Sequence, residues 1–173
     1  MTTAARFRAL HTQGLLRLAN AWDAGTARLI EHLGAPAVAT SSAGLAWAQG
    51  WPDGDALDVE ALLHAVAGIA RVIDVPLTVD VEGGYSDDPA TVADTVLHVV
   101  KAGAAGINLE DGAGDPALLA AKIRASLSQT AAPTLADAAW GQLAPGTVVQ
   151  KLSGLFPRID TKSQAPAAAQ SPV

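Results

Sequence analysis

The sequence contains no cysteine and few aromatic or basic residues, and each shortage excludes a class of protein. Without cysteine, the chain cannot form disulfides, a thiolate zinc site or a cysteine nucleophile. The net charge of −6 argues against a nucleic-acid partner, because nucleic acids are bound by basic surfaces. No apolar run reaches the ~18 residues of a membrane span, and residues 1–14 lack the apolar core of a secretory signal. We therefore expect no membrane partner and a cytoplasmic location.

Half of the residues in the chain are hydrophobic, and they form short apolar runs that alternate with helical patterns. Helix signals include the apolar period from Val59 to Ile73 and the capping pairs Asp88-Pro89 and Asp115-Pro116. Four strand-then-helix units follow one another, which indicates a parallel sheet covered by helices. The pattern fits either a barrel or a doubly wound sheet, although no G-x-G-x-x-G supports a nucleotide-binding unit. The predicted strands are Leu15–Ala19, Ala35–Thr40, Val75–Val81 and Ala105–Leu109.

Four carboxylates follow the predicted strands or lie in the loops between units: Asp53, Asp80, Glu82 and Glu110. In a parallel sheet such positions meet at the carboxyl edge, where active sites are built. Asp80 and Glu82 are two residues apart on a predicted strand, so we expect their side chains to share a face. Carboxylates that converge in this way stay ionised together most easily around a hard cation such as Mg²⁺ or Mn²⁺. Spacing alone leaves open an ordinary solvated acidic edge.

Small residues follow the second predicted strand, and tryptophans follow them. The Ser41–Gly44 stretch would let backbone N–H groups approach an anion closely, although an ordinary turn has the same composition. Trp47 and Trp51 come just after it and could enclose a pocket or simply pack. For Trp22 we favour packing.

Five segments, in order, resemble the strand-end motifs of the phosphoenolpyruvate mutase/isocitrate lyase superfamily. The match covers about residues 6–123, and it most resembles the carboxyphosphonoenolpyruvate phosphonomutase-like branch. The resemblance implies a (β/α)8 TIM barrel of which this chain covers about the first four βα units. The segments are Asn20-Ala21-Trp22-Asp23-Ala24-Gly25, Ala39-Thr40-Ser41-Ser42-Ala43-Gly44, Trp51-Pro52-Asp53-Gly54, Asp80-Val81-Glu82-Gly83-Gly84-Tyr85 and Gly106-Ile107-Asn108-Leu109-Glu110-Asp111-Gly112.

The resemblance also implies a function, namely a Mg²⁺-dependent, enolate-forming lyase or phosphonomutase-like enzyme that makes or breaks C–C or P–C bonds in 2-oxo acids. Asp80 would bind Mg²⁺ (or Mn²⁺) directly, whereas Glu82, Glu110 and Asp53 would act mostly through water. The implied substrate-binding residues are Ser41, Ser42, Ala43, Gly44 and Trp47, and the implied catalytic residues are Ser41, Asp53 and Glu110. The expected partners are a small 2-oxo or carboxylic acid and further copies of this chain in a homo-oligomer.

The sequence departs from the family in two places. Gly112-Ala113-Gly114-Asp115 stands where isocitrate and methylisocitrate lyases carry a cysteine loop, so those two specificities are not expected. No arginine motif like that of the family's next strand occurs between Ser126 and Val173. We therefore divide the chain into a half-barrel, 1–126, and an atypical, partly disordered tail, 127–173, and expect a truncated or altered protein with poor turnover. Two alternatives are a non-catalytic remnant that keeps metal and carboxylate binding, and a metal-free structural βα protein.

Overall fold

The computed structural model describes residues 2–12 and 14–130, which form a parallel sheet with helices against it. Each strand pairs in parallel with the next one in sequence, so the sheet order is β1-β2-β3-β4. This confirms the predicted succession of βα units and the first part of a barrel fold. The elements, in chain order, are α1 (Thr3–Leu10), β1 (Ala19–Ala21), α2 (Ala24–His32), β2 (Val38–Thr40), α3 (Ser42–Ala48), α4 (Val59–Ala70), β3 (Leu77–Asp80), α5 (Pro89–Lys101), β4 (Gly106–Asn108) and α6 (Pro116–Thr130).

Helix starts are set by side chains that cap the first free backbone N–H groups. Asp23 caps α2 in a reciprocal capping box with Thr26. Asp88 caps α5 by accepting from the Thr91 backbone N–H, and Pro89 occupies the first turn, where its missing N–H costs nothing. These caps place the start of each helix shortly after the carboxyl end of a strand, which leaves short loops at that edge of the sheet.

The core lies between the sheet and the helices. Leu77, Val79 and Val81 are fully or almost fully buried, and the apolar face of α4 packs over the sheet with Leu62 and Val66. Helix α1 packs elsewhere, at the amino-terminal end of the sheet, where the Arg6 Nη1 donates to the Asp74 carbonyl at 3.1 Å. None of the helices in the described ranges is long and apolar enough to cross a membrane.

Several predicted boundaries were wrong. The first strand is Ala19–Ala21 rather than Leu15–Ala19, and Leu15 is 85% exposed. Two helices, α1 and α3, were not predicted. Helix α6 continues to Thr130, four residues beyond the proposed boundary at residue 126. The predicted tail otherwise lies outside the described residues, so the division into 1–126 and 127–173 stays a prediction.

Candidate metal and substrate site

Asp80 is the last residue of β3, and hydrogen bonds to the Thr40 hydroxyl and to the Ser42 and Glu82 backbone N–H groups fix it at the carboxyl edge. Its own N–H donates to Thr40 Oγ1 at 2.9 Å, which ties it to the end of β2. Its carboxylate Oδ2 accepts from the Ser42 N–H at 3.2 Å, and Oδ1 accepts from the Glu82 N–H at 3.1 Å. The carboxylate is therefore oriented by its neighbours, with lone pairs left for a further partner.

Glu82 lies beyond the end of the strand, so the prediction that it shares a strand face with Asp80 was wrong. Its φ of 49° is in the left-handed region, and the chain turns there rather than continuing as a strand. The turn nevertheless brings Glu82 next to Asp80 through the bond to Asp80 Oδ1. The Glu82 carboxylate is buried and accepts from the Asp55 N–H and, at 3.4 Å, from the Tyr85 hydroxyl.

Asp55 connects the loop after α3 to the turn after β3, and it was not among the predicted residues. Its Oδ1 accepts from the backbone N–H groups of Gly83, at 3.2 Å, and Tyr85, at 3.1 Å. A Cβ on Gly83 would lie 2.6 Å from Asp55 Oδ2, so a larger residue there would force the Asp55 carboxylate to shift. The sequence offers little signal for Asp55, because it lies in a loop with a left-handed φ of 58° and no periodic pattern.

Glu110 and Asp53 complete the group of residues that we call the acidic cluster. Glu110 follows β4, and its N–H donates to the Glu82 carbonyl at 2.9 Å, which holds the two strand ends together. Asp53 is exposed in the loop after α3, close enough for its charge to affect both glutamates. The acidic cluster is Asp53, Asp55, Asp80, Glu82 and Glu110.

Burial and mutual repulsion make ionisation of the two glutamates costly. Burial is the main cause that raises the pKa of Glu82, and the charges of Asp55, Asp53 and Asp80 raise it further. The pKa of Glu110 is raised first by burial and then by neighbouring carboxylates, of which Asp80 has the largest effect. The two ion pairs of the described residues, Arg28 with Glu31 and Lys122 with Asp87, do not include any member of the cluster.

The donor chemistry of the cluster fits a hard divalent cation. All the side-chain donors are carboxylate oxygens, and a cation would offset the repulsion that raises the glutamate pKa values. Within the ranges the structure describes, no three histidine, cysteine, aspartate or glutamate side chains form a group that could hold one ion directly. A cation here would therefore take most of its ligands from water, as Mg²⁺ can when only one or two carboxylates come from the protein.

The predicted substrate turn is the start of a helix. Ser41 caps α3, and its Oγ accepts from the Gly44 N–H at 3.4 Å. The Ser42 N–H is already bonded to Asp80, so the turn and the acidic cluster are in direct contact. Trp47 lies on α3 rather than in a loop, and its side chain is 62% exposed.

A cavity of about 210 Å³ opens beside the acidic cluster, between the turn after β3 and the loop before α6. Asp55 and Glu110 contribute to its wall, but the predicted substrate residues Ser41–Gly44 and Trp47 do not. Lys122, which also lines it, was missed in the sequence. Its position three residues after Leu119, on the apolar face of the predicted helix, is the feature by which Lys122 could have been identified.

These features define a half-barrel whose acidic cluster lies at the carboxyl edge, and comparison identifies the family. The sequence model for phosphoenolpyruvate phosphomutase matches residues 7–139, so the chain belongs to that family, within the phosphoenolpyruvate mutase/isocitrate lyase superfamily of lyases and mutases. An uncharacterized protein of Mycobacterium tuberculosis is 40% identical over 122 residues, which are 68% of this chain and 46% of that protein. The 2-methylisocitrate lyase of Escherichia coli is 34% identical over 110 residues, 61% of this chain and 36% of the lyase.

Solved structures show the same relationship. A Burkholderia cenocepacia protein described provisionally as a phosphonomutase has a TM-score of 0.69 and 40% identity, over 74% of this chain and 55% of that one. A phosphonopyruvate hydrolase in complex with oxalate and Mg²⁺ has a TM-score of 0.67 and 26% identity, over 75% of this chain and 48% of the hydrolase. The chain thus spans about half the length of these relatives, or less.

Proposed function

We propose that this chain provides the metal-binding half of a Mg²⁺-dependent site for 2-oxo acids, in a lyase or phosphonomutase-like enzyme that makes or breaks C–C or P–C bonds. The observation that carries the proposal is the acidic cluster: carboxylates held together at the carboxyl edge, two of them with raised pKa values, and without an ion-pair partner among the described residues. Mn²⁺ would suit the same oxygen donors.

The proposed metal residues divide into one direct ligand and a supporting group. Asp80 is the direct ligand, because backbone N–H groups orient both of its oxygens at the centre of the edge. Glu82, Glu110 and Asp53 hold water around the ion. When bound, the cation would supply a Lewis acid that stabilises enolate charge on a 2-oxo acid.

The substrate residues are proposed from the contact between the α3 start and Asp80. The Ser41–Gly44 turn would receive the substrate carboxylate beside the metal, and Trp47 would lie on its open side. Ser41, Asp53 and Glu110 are the proposed catalytic residues. The hydrolase crystallised with oxalate and Mg²⁺ supports this choice of ligand, since oxalate presents two adjacent oxygens and a carboxylate, as an enolate of pyruvate does.

A second candidate is a protein that binds metal and carboxylate but does not catalyse. It is favoured by the sequence between Ser126 and Val173, which contains no arginine motif of the family type, and by the short loop before α6 in place of a cysteine loop. Turnover separates the two candidates, since both predict Mg²⁺-dependent binding of oxalate.

The test of the shared claim is oxalate titration with and without Mg²⁺. We expect heat of binding only when Mg²⁺ is present, and weaker binding by Ser41→Leu, because leucine would obstruct the turn. Ser41→Ala is the matched control: it removes the same cap, at about 0.5–2 kcal/mol of stability, without adding bulk. Oxalate that binds equally well without Mg²⁺ would contradict the proposed site.

A further inference from the structure

Lys122 occupies a position where a lysine is unusual. Helix α6 turns Leu119, Lys122, Ile123 and Ser126 toward the protein, at the i, i+3, i+4, i+7 spacing of one face. Lys122 is only 6% exposed. An ammonium group taken out of water is costly unless it is hydrogen-bonded or paired, so its contacts indicate what holds it there.

The closest contact of Lys122 is a backbone carbonyl of the site. Its Nζ donates to the Gly83 carbonyl at 2.9 Å, whereas the carboxylate of Asp87 is 3.7 Å away on a side chain that is 97% exposed. A carboxylate that is almost fully solvated, at that distance, contributes little to holding the ammonium group. The bond to Gly83 is therefore the better account of the buried position.

Both peptide groups that flank Gly83 are held by side chains. Its N–H donates to Asp55 Oδ1, and its carbonyl accepts from Lys122. The residues around it, Glu82 and Gly84, have positive φ angles of 49° and 92°. A left-handed conformation at a non-glycine residue is strained, and it persists only where surrounding contacts enforce it.

We propose that Lys122 is a positioning residue that fixes the Glu82–Tyr85 turn through the Gly83 carbonyl, and so holds Glu82 in the geometry required for cation binding. Lys122 also lines the cavity to which Asp55 and Glu110 contribute. The expected effect on Mg²⁺ affinity rests on the proposed function, but the effect on the Glu82–Tyr85 turn can be measured in the metal-free protein.

The experiment compares three variants of the full chain with the wild type. Lys122→Met keeps the stem and removes the ammonium, Lys122→Arg keeps the charge and donors, and Lys101→Met makes the same change at an exposed lysine of α5. Mg²⁺ affinity is measured by calorimetry. Amide hydrogen exchange of the metal-free protein is measured for the Glu82–Tyr85 turn, with α4 as the internal reference.

We expect Lys122→Met to weaken Mg²⁺ binding by about 10-fold or more, the size typical of losing a residue that orients a ligand. Exchange of the Gly83 and Tyr85 amides should rise while α4 stays protected, Lys122→Arg should recover part of both effects, and Lys101→Met should match the wild type. If the wild type itself does not bind Mg²⁺, the proposed function fails, and the exchange data alone decide the role of Lys122. Unchanged exchange in Lys122→Met, or faster exchange throughout α4 as well, would overturn the proposal.

Discussion

At the scale of single residues, Asp80 is oriented before any ligand arrives. The Ser42 and Glu82 amides donate to its two oxygens, so the carboxylate cannot rotate without breaking a hydrogen bond. Binding to an oriented carboxylate avoids the cost of ordering it afterwards. Asp80 is therefore the residue on which the proposed cation site depends most.

We predict that Asp80→Asn lowers Mg²⁺ affinity by more than the about 10- to 100-fold caused by losing a supporting residue. Asparagine removes the charge. Its NH₂ group would also face the backbone N–H of Ser42 or Glu82, so one of the two present hydrogen bonds would be lost. Asp74→Asn, before the amino-terminal end of β3, is the matched control and should bind as the wild type does. Calorimetric titration provides the measurement. Equal affinity in Asp80→Asn and the wild type, or no binding to either, would contradict the proposed metal site.

The residues that sequence could predict are those whose position follows from a strand end. Asp80 lies near the end of one predicted strand and Glu110 directly follows another, and the structure places both at the carboxyl edge. Asp55 could not be found in this way, because its role depends on a left-handed loop and on a turn 28 residues further along the chain. Lys122 was overlooked because a lysine is ordinarily solvated, and only its bond to Gly83 identifies it.

At the scale of helices and strands, the sequence predicted the limits that depend on an element's own residues. It did not predict the limits that depend on pairing with a neighbouring element. The Asp88-Pro89 pair predicted the start of α5, because capping is local. The observed β1 lies nearer to Ala21 than the predicted strand did, because its limits are set by pairing with β2, where Asn20 is opposite Ala39. Helix α3 has only seven residues, too few for the apolar period that revealed α4.

Glu31 connects two elements, and it gives a prediction for stability against pH. Its carboxylate Oε1 accepts from the Asp74 and Val75 backbone N–H groups at 2.7 and 3.1 Å, which ties α2 to the loop before β3. Burial raises the pKa of Glu31, but these bonds and Arg28 outweigh it, so the net pKa lies below the ordinary value. The stabilisation is therefore present above the unfolded-state pKa, near 4.5, and is lost as the pH falls through the folded-state value.

We predict that Glu31→Gln lowers the free energy of unfolding at pH 7 by about 1.5–3 kcal/mol, the range for hydrogen bonds to a charged group. The difference from the wild type should shrink as the pH falls below the pKa of the folded protein. Urea unfolding at several pH values gives the measurement, and Glu60→Gln, on the exposed side of α4, is the control. A difference that stays constant from pH 7 to pH 3 would rule out ionisation of Glu31 as its cause.

At the scale of the whole molecule, the described part of the sheet has two open edges. β1 and β4 each have a single strand neighbour, and Ala19 and Asn20 are exposed on the outer strand β1. A closed barrel has no edges, whereas an open edge offers unpaired backbone groups to another chain. Pairing of β1 in one copy with β4 in another is the association that this arrangement favours.

We predict that the purified chain self-associates with rising concentration, as measured by sedimentation velocity. Asn20→Lys should weaken the association several-fold, because a charge on an edge strand opposes pairing. Gln49→Lys adds the same charge on an exposed position outside the sheet and should not. A monomer at every concentration, or equal effects of the two lysines, would exclude association through the edge of the sheet.

The strand order also has a consequence for the way the chain folds. Within residues 14–130, β2, β3 and β4 each pair with the strand made just before them: Val38 with Ala19, Leu77 with Val38, and Gly106 with Thr78. None of these four strands has to wait for a partner from the distant end of the chain, so the entropy lost in closing each loop is small. During synthesis on the ribosome, each βα unit can add to a sheet that already exists. The acidic cluster would then assemble late, only when Glu110 emerges and its amide reaches the Glu82 carbonyl.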